Sequence, residues 1–158
     1  MRDEYELENL YRRHWPSAYR AAYLVTHDAA ASEDIAQEAF IAAGRALARF
    51  DRRRPFAPWL HRIVVNRSID WTRARAARAE VFTTPERAEA PHGPDASGEV
   101  LAALAALPPD QRAVVVLRYL LEYTPGEIAG MLDLPRGTVN SRLRRALDDL
   151  ARRLERES

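Results

Sequence analysis

Six side chains near the C-terminal end have the donors and acceptors that read the edges of bases. Arg136, Thr138, Asn140, Ser141, Arg144 and Arg145 lie on one side of a helical period whose other side carries Val139, Leu143, Leu147, Leu150 and Leu154. A guanidinium can contact guanine through two donors, Asn pairs likewise with adenine, and Ser and Thr reach bases or phosphates. Such a helix reads nothing unless a second element sets it across a groove. The preceding stretch predicts one: Thr124 is a good N-cap, Pro125 suits the first helical position, and Glu127 three residues on completes a capping box. Ile128, Met131 and Leu132 form that helix's apolar stripe. Asp133 then falls where a left-handed residue is commonly needed, and Pro135 bars continuation, so a new helix starts after it. Two helices on a tight turn, the second polar outward, match the arrangement that enters a DNA major groove. A plain helical hairpin with a solvated basic face uses the same residues. The turn chemistry, with small Ala129 and Gly130 permitting close helix approach, favours the DNA arrangement.

A second candidate surface lies mid-chain. Ten Arg stand between Arg45 and Arg78 against Asp51 and Asp70, whereas the first 44 residues are acidic on balance. All 24 basic residues are Arg, and the net charge of +1 conceals this polarity. A local basic concentration, rather than a high overall charge, is the footprint of nucleic-acid contact. Asp51–Pro58 predicts a loop with three consecutive Arg, two Pro and Phe56; a helix follows from about Trp59 to Ala77. Leu60, Ile63, Val64 and Trp71 can pack inward, while Arg62, Asn66, Arg67, Asp70, Arg73 and Arg75 project outward or to the flanks. Rings beside guanidinium groups suit a single strand, whose bases stack while its phosphates pair. Trp59 and Trp71 serve equally well as core.

The elements that carry these residues are helical throughout. Residues 4–25 predict a helix that Pro16 kinks or divides. A break over Thr26–Ser32 precedes a helix from about Ser32 to Phe50, with Ile35, Ala39, Phe40, Ala43, Leu47 and Phe50 inward. Asp34, Gln37, Glu38 and Arg45 face out, and Glu33 and Asp34 suit the dipole of its first turn. Residues 80–98, rich in Pro, Gly, Ala, Ser and acids, break every period and predict a flexible linker. Beyond it, Val100, Leu101, Leu104 and Leu107 form a short helix stopped by Pro108-Pro109. Asp110 caps the next, whose Val114, Val115, Leu117, Leu120 and Leu121 support the helix–turn–helix. The fold class expected is all-α: a helical domain over 1–79, the linker over 80–98, and a four-helix domain over 99–158.

Composition excludes several functions. The chain has no Cys, so neither disulfides nor thiolate metal sites are available, which suits a reducing cytoplasm. His14, His27, His61 and His92 lack ligand-like spacing, and no metal or cofactor is expected. No apolar run is long enough to span a bilayer, and the acidic N-terminus is unlike a signal peptide. No nucleophile–base pairing or phosphate-cradling Gly loop supports a small helical enzyme. A free-standing helix–turn–helix regulator would explain the C-terminal part and leave the Arg-rich N-terminal half idle.

Two separated stretches together resemble one family. SEDIAQEAFIAAGRALARFD…RPFAPWLHRIVVNRSIDWTRAR is similar to region 2 of bacterial sigma factors, and LPPDQRAVVVLRYLLEYTPGEIAGMLDLPRGTVNSRLRRAL to their region 4. The two-region plan resembles the extracytoplasmic-function (ECF) group. The resemblance implies a promoter-specificity subunit, not itself an enzyme, that binds core RNA polymerase and promoter DNA and takes no small-molecule substrate. By position, Asp34, Gln37 and Glu38 would contact the clamp helices of the polymerase β′ subunit. Arg53, Arg54, Phe56, Arg62, Asn66 and Arg67 would serve the −10 element, with Asn66 near an extruded base. Arg136, Thr138, Asn140, Ser141, Arg144 and Arg145 would read the −35 duplex. The resemblance also implies an anti-sigma factor as a partner. Asn140 stands where members often have Lys or Arg, Asp133 where Gly is common, and Pro58 is less usual.

Overall fold

The structure, a computed structural model, describes residues 2–51, 53–81 and 96–157. Among them seven α-helices follow one another and no strand occurs: α1 (Arg2–Thr26), α2 (Ala29–Ala46), α3 (Phe56–Val81), α4 (Ala96–Ala106), α5 (Pro109–Val115), α6 (Pro125–Leu132) and α7 (Arg136–Glu157). The expected linker falls mainly on residues 82–95, outside the described residues. Its outer ends are helical, since α3 runs to Val81 and α4 begins at Ala96.

Helices α1, α2 and α3 pack on one another. α1 is continuous through Pro16, which lies on its exposed side, so water can replace the backbone bond that proline removes. α2 begins earlier than expected, because Asp28 rather than Ser32 is its N-cap: the Asp28 carboxylate accepts from the Ala31 N–H at 2.9 Å. His27 makes the turn in the left-handed region, with φ 54°. Ser32 is instead buried inside the first turns, its hydroxyl bonded to Thr26 and to the Asp28 carbonyl. Glu33 and Asp34 are therefore beyond the first turn, and the dipole does not account for them. A 3₁₀ turn, Leu47–Arg49, closes the segment.

α3 starts three residues before the expected boundary and takes in Phe56, Ala57 and Pro58. A proline in the first turn lacks an N–H that has no helical partner anyway, so Pro58 is tolerated there. Phe56 is consequently core rather than loop. It packs against Phe40, Phe50, Trp59 and His14, with Phe50 and Trp59 stacked at 4.8 Å.

In the C-terminal part, α5 has no side-chain cap; Pro108 occupies that place and Asp110 lies inside the first turn. α5 widens into a π-turn over Val116–Leu120, closed by the Leu121 N–H donating to the Val116 carbonyl. Glu122, at φ 61°, then reverses the chain and delivers Tyr123 inward.

The two halves share one apolar core. Val25, Leu60, Val64 and Val65 from the first join Leu107, Val114, Leu117, Ile128 and Val139 from the second. Burying an aliphatic side chain of this size contributes about 1.5–3 kcal/mol, so the shared layer is a substantial part of the fold's stability. Across it runs the Arg112 guanidinium, itself buried. It donates to the carbonyls of Leu104 at 3.0 Å and of Ala105 and Leu107 at 2.8 Å, and crosses to the Val25 carbonyl at the end of α1.

Candidate nucleic-acid interface

The turn between α6 and α7 forms as its residues dictate. The Thr124 hydroxyl accepts from the Glu127 N–H at 3.2 Å, and the Glu127 carboxylate accepts from the Thr124 N–H at 3.0 Å. The Thr124 N–H first, and the Thr124 side chain second, hold the Glu127 carboxyl below its usual range. At the far end Asp133 is left-handed, φ 56° and ψ 50°, and its N–H donates to the Ala129 carbonyl. Gly130 plays no part in close helix approach: it is exposed, and an added Cβ would meet nothing within 4 Å.

α7 seats on this scaffold through Val139, Leu143 and Ala146. Leu147, expected inward, is 42% exposed. Steps of four residues advance 40° beyond a full turn, so a 139–143–147 series drifts off the buried face and Ala146 takes the place. Arg136, Asn140, Ser141, Arg144 and Arg145 are all exposed and Thr138 is half-buried, so the polar face is presented as one surface.

The basic residues of α3 lie elsewhere. Arg53 and Arg54 are exposed before its start, and Arg53 pairs with Asp51 at 3.1 Å. Arg62 and Arg67 are exposed on α3, Arg67 pairing with Glu38 of α2 at 2.7 Å. Arg54 and Arg62 line a cleft of about 850 Å³ between the halves, together with Phe50, Trp59, Tyr123 and Met131. Asn66 is half-buried beside it, because its Nδ2 donates to the Met131 carbonyl of α6 at 3.1 Å and to the Arg62 carbonyl at 2.8 Å. On α2, Asp34, Gln37 and Glu38 are exposed beside Ile41, itself 54% exposed.

Two family models match the chain: sigma-70 region 2 over residues 10–78 and sigma-70 region 4 over residues 97–150. The ECF RNA polymerase sigma factor SigM of Mycobacterium tuberculosis is 34% identical across 96% of this chain and 79% of its own length. The chain belongs to the ECF group of the sigma-70 family. SigW of Bacillus subtilis, another ECF sigma factor, is 33% identical over 86% of this chain and 82% of its own. Among solved structures, CnrH in complex with the cytosolic domain of CnrY superposes with a TM-score of 0.73 at 30% identity, over 98% of this chain and 91% of that one. RpoE of Bartonella quintana, solved with the anti-sigma factor NepR, shares the fold with a TM-score of 0.77 at 20% identity, over 95% of this chain and 97% of that one.

Sigma factors direct RNA polymerase to promoters, and this factor keeps the two family regions face to face. The α7 surface of region 4 and the acidic α2 surface of region 2 are open to partners. The Arg and Asn surface of α3 is partly engaged: Asn66 by α6, and Phe56 by the core at 8% exposure. The residues that join the regions carry no signal in the sequence. Arg73 pairs with Asp110, which Arg142 also approaches at 4.0 Å. His61 meets Tyr123, Nδ1 to Oη, at 2.7 Å. The Arg73–Asp110 partners are 37 residues apart and the His61–Tyr123 partners 62, and no local pattern marks them. Among the described residues no group of His, Asp and Glu is arranged to hold a metal, and no helix is long and apolar enough to cross a membrane.

Proposed function

We propose that this ECF factor works in the cytoplasm as a non-catalytic promoter-specificity subunit, with its contacts divided between two units. Residues 1–79 bind core polymerase and the −10 element; residues 99–158 read the −35 element. Asp34, Gln37 and Glu38 on α2 meet the clamp helices of the β′ subunit, with the exposed Ile41 one turn further along the helix adding apolar area. Arg53, Arg54, Arg62, Asn66 and Arg67 handle the opened −10 strand. Arg136, Thr138, Asn140, Ser141, Arg144 and Arg145 enter the −35 major groove. An anti-sigma factor is a further expected partner, by analogy with the RpoE–NepR complex.

One observation carries the reading: a helix–turn–helix with a formed capping box and a left-handed Asp133 presents a continuous polar face on its second helix. Phe56 is left out of the −10 set, since a ring inside the core cannot stack on a base without repacking its neighbours.

The test is reconstitution of the full chain with core polymerase, followed by transcription from a pool of upstream genomic fragments. Co-elution, with starts downstream of a shared −35/−10 pair, is the expected result. Tight binding to a palindromic duplex without any polymerase complex would point to a free-standing regulator, because such proteins pair half-sites by two-fold symmetry.

A further inference from the structure

Four polar groups form a chain of hydrogen bonds across the seam between the regions. The Ser17 hydroxyl donates to the His14 carbonyl at 3.1 Å, so its oxygen accepts from His61 Nε2–H at 3.0 Å. His61 Nδ1 is then bare and accepts the Tyr123 hydroxyl at 2.7 Å. Ser17 and His61 belong to region 2, Tyr123 to region 4. In this arrangement the imidazole is neutral; a proton on Nδ1 would turn the Tyr123 hydroxyl from donor to acceptor and deprive its own hydrogen of this partner. Five residues along α3 from His61, Asn66 makes its own bond across the same seam to Met131. His27 occupies the other side of the seam. Its Nε2 is buried without a partner, and the Arg112 guanidinium of α5 lies close enough to oppose a charge on it.

We propose that these histidines make the closed pairing of the two regions a proton-sensitive latch: neutral His61 and His27 hold region 4 over Asn66, and mild acid opens the seam. The proposal rests on the assignment of Asn66 to the −10 surface.

The groups facing each histidine all bear on the sign. From α1, His14 faces His61; from beyond the seam come Tyr123, the Glu127 carboxylate that acts on Tyr123, and Arg118, which donates to the Tyr123 carbonyl at 3.4 Å. The neighbouring Arg62 is exposed on α3. Glu127 is already taken up by its capping box. Around His27 stand Arg112, the Tyr23 phenol of α1 with its ring centroid 5.9 Å away, and the adjoining Asp28, whose carboxylate is engaged by Arg75 at 3.2 Å and by the Ala31 N–H. Burial lowers His61 from 6.5 to about 4, with His14 adding to it. Burial and then Arg112 lower His27 to about 4 as well. Each histidine that returns to its ordinary value on opening takes up a proton. The closed state is therefore fully favoured above about pH 6.5 and loses ground as pH falls from there toward 4. Between about pH 7.5 and 5.5 each histidine shifts the closed-to-open ratio by about tenfold, and the two together by up to about a hundredfold.

The chain has no natural Cys, so Ala30→Cys on α2 and Asp148→Cys on α7, both exposed, place one spin label on each region of the full-length protein. Pulsed dipolar spectroscopy should show a short distance at about pH 8 and a growing long-distance population at about pH 5.5. His61→Gln keeps a donor and an acceptor but cannot titrate, and His27→Asn tolerates the left-handed backbone. The protein with both changes should stay closed at both pH values. Tyr123→Phe, which removes the donor across the seam, should open the molecule more at about pH 8 while its circular dichroism stays helical. One short distance at both pH values, or equal opening in the non-titrating protein, overturns the latch. Binding of the non-template strand of a promoter from the transcription experiment separates the two ideas. Tighter binding in acid that disappears in the non-titrating protein supports both. Opening without any gain in binding keeps the latch and removes Asn66 from the −10 surface.

Discussion

Removing the Arg112 guanidinium should be among the most damaging single changes in this protein. Its four acceptors are the carbonyls of Leu104, Ala105 and Leu107, at and just past the end of α4, and of Val25 near the end of α1. Burial pushes the group down to about 10, so it remains a cation at neutral pH. Hydrogen bonds to a charged donor are worth about 1.5–3 kcal/mol each. Taking the charge out of water costs several kcal/mol, so the gross sum overstates the net. In Arg112→Met the Leu104 carbonyl keeps the Leu107 N–H as a donor at 3.1 Å. The Ala105, Leu107 and Val25 carbonyls lose the guanidinium. At about 1–3 kcal/mol for each buried acceptor, with partial rehydration, the loss comes to about 3–5 kcal/mol. Against a typical domain stability of about 5–15 kcal/mol, that lowers the urea midpoint severely. Arg112→Lys, which keeps the charge with three donors on a shorter reach, should recover part of the loss. Urea titration followed by far-UV circular dichroism gives the difference directly. A loss below about 1 kcal/mol for the Met variant, with an unchanged urea slope, would show that the network carries little net stability and refute the reasoning.

Further outcomes follow from single residues. Thr124→Ala removes the hydroxyl half of the capping box and should cost about 1 kcal/mol in urea titration. Asp133→Gly relieves a left-handed non-glycine and should leave stability equal or raised by up to about 1 kcal/mol; a clear loss would mean the carboxylate has a role beyond the turn. Arg145→Ala should weaken binding to a matched −35 duplex by about 1–3 kcal/mol, and an equal loss on scrambled duplex would make it a phosphate contact instead. Changing Asp34 and Gln37 together to Ala should abolish co-elution with core polymerase while the helical signal is unchanged, since both are exposed; unaltered affinity would remove them from the interface.

What was legible in the sequence was local. The capping box at Thr124 and Glu127, the left-handed Asp133 and the polar face of α7 each depend on residues within one or two turns, and all formed as their chemistry dictates. Boundaries failed where two residues competed for one role. Asp28 and Ser32 are both good caps, and the closer fit of Asp28 to the Ala31 N–H left Ser32 to a buried bond with Thr26. Phe56 read as a loop aromatic because Pro55 and Pro58 flank it, yet a helix accepts proline in its first turn, and the ring found a core of other aromatics. The seam was invisible because His61, Asn66, Arg73 and Arg112 find partners from 37 to 87 residues away.

On the proposed assignments, the closed arrangement sets an order of events. The exposed faces of α2 and α7 need no rearrangement to meet polymerase and duplex DNA. Asn66 does: freeing its amide from the Met131 carbonyl means separating α6 from α3, and α6 is tied there by the neighbouring His61–Tyr123 bond. That separation exposes apolar surface of the shared core, including Leu60, Val64 and Ile128, at about 25 cal/mol per Å². Extruding a base adds a few kcal/mol more. Neither cost can be met by one asparagine side chain, whose hydrogen bonds are worth about 1 kcal/mol each net. Contacts made first, by α2 on the polymerase and α7 on the duplex, have to supply the difference, so capture of the −10 strand is expected to follow docking and not precede it.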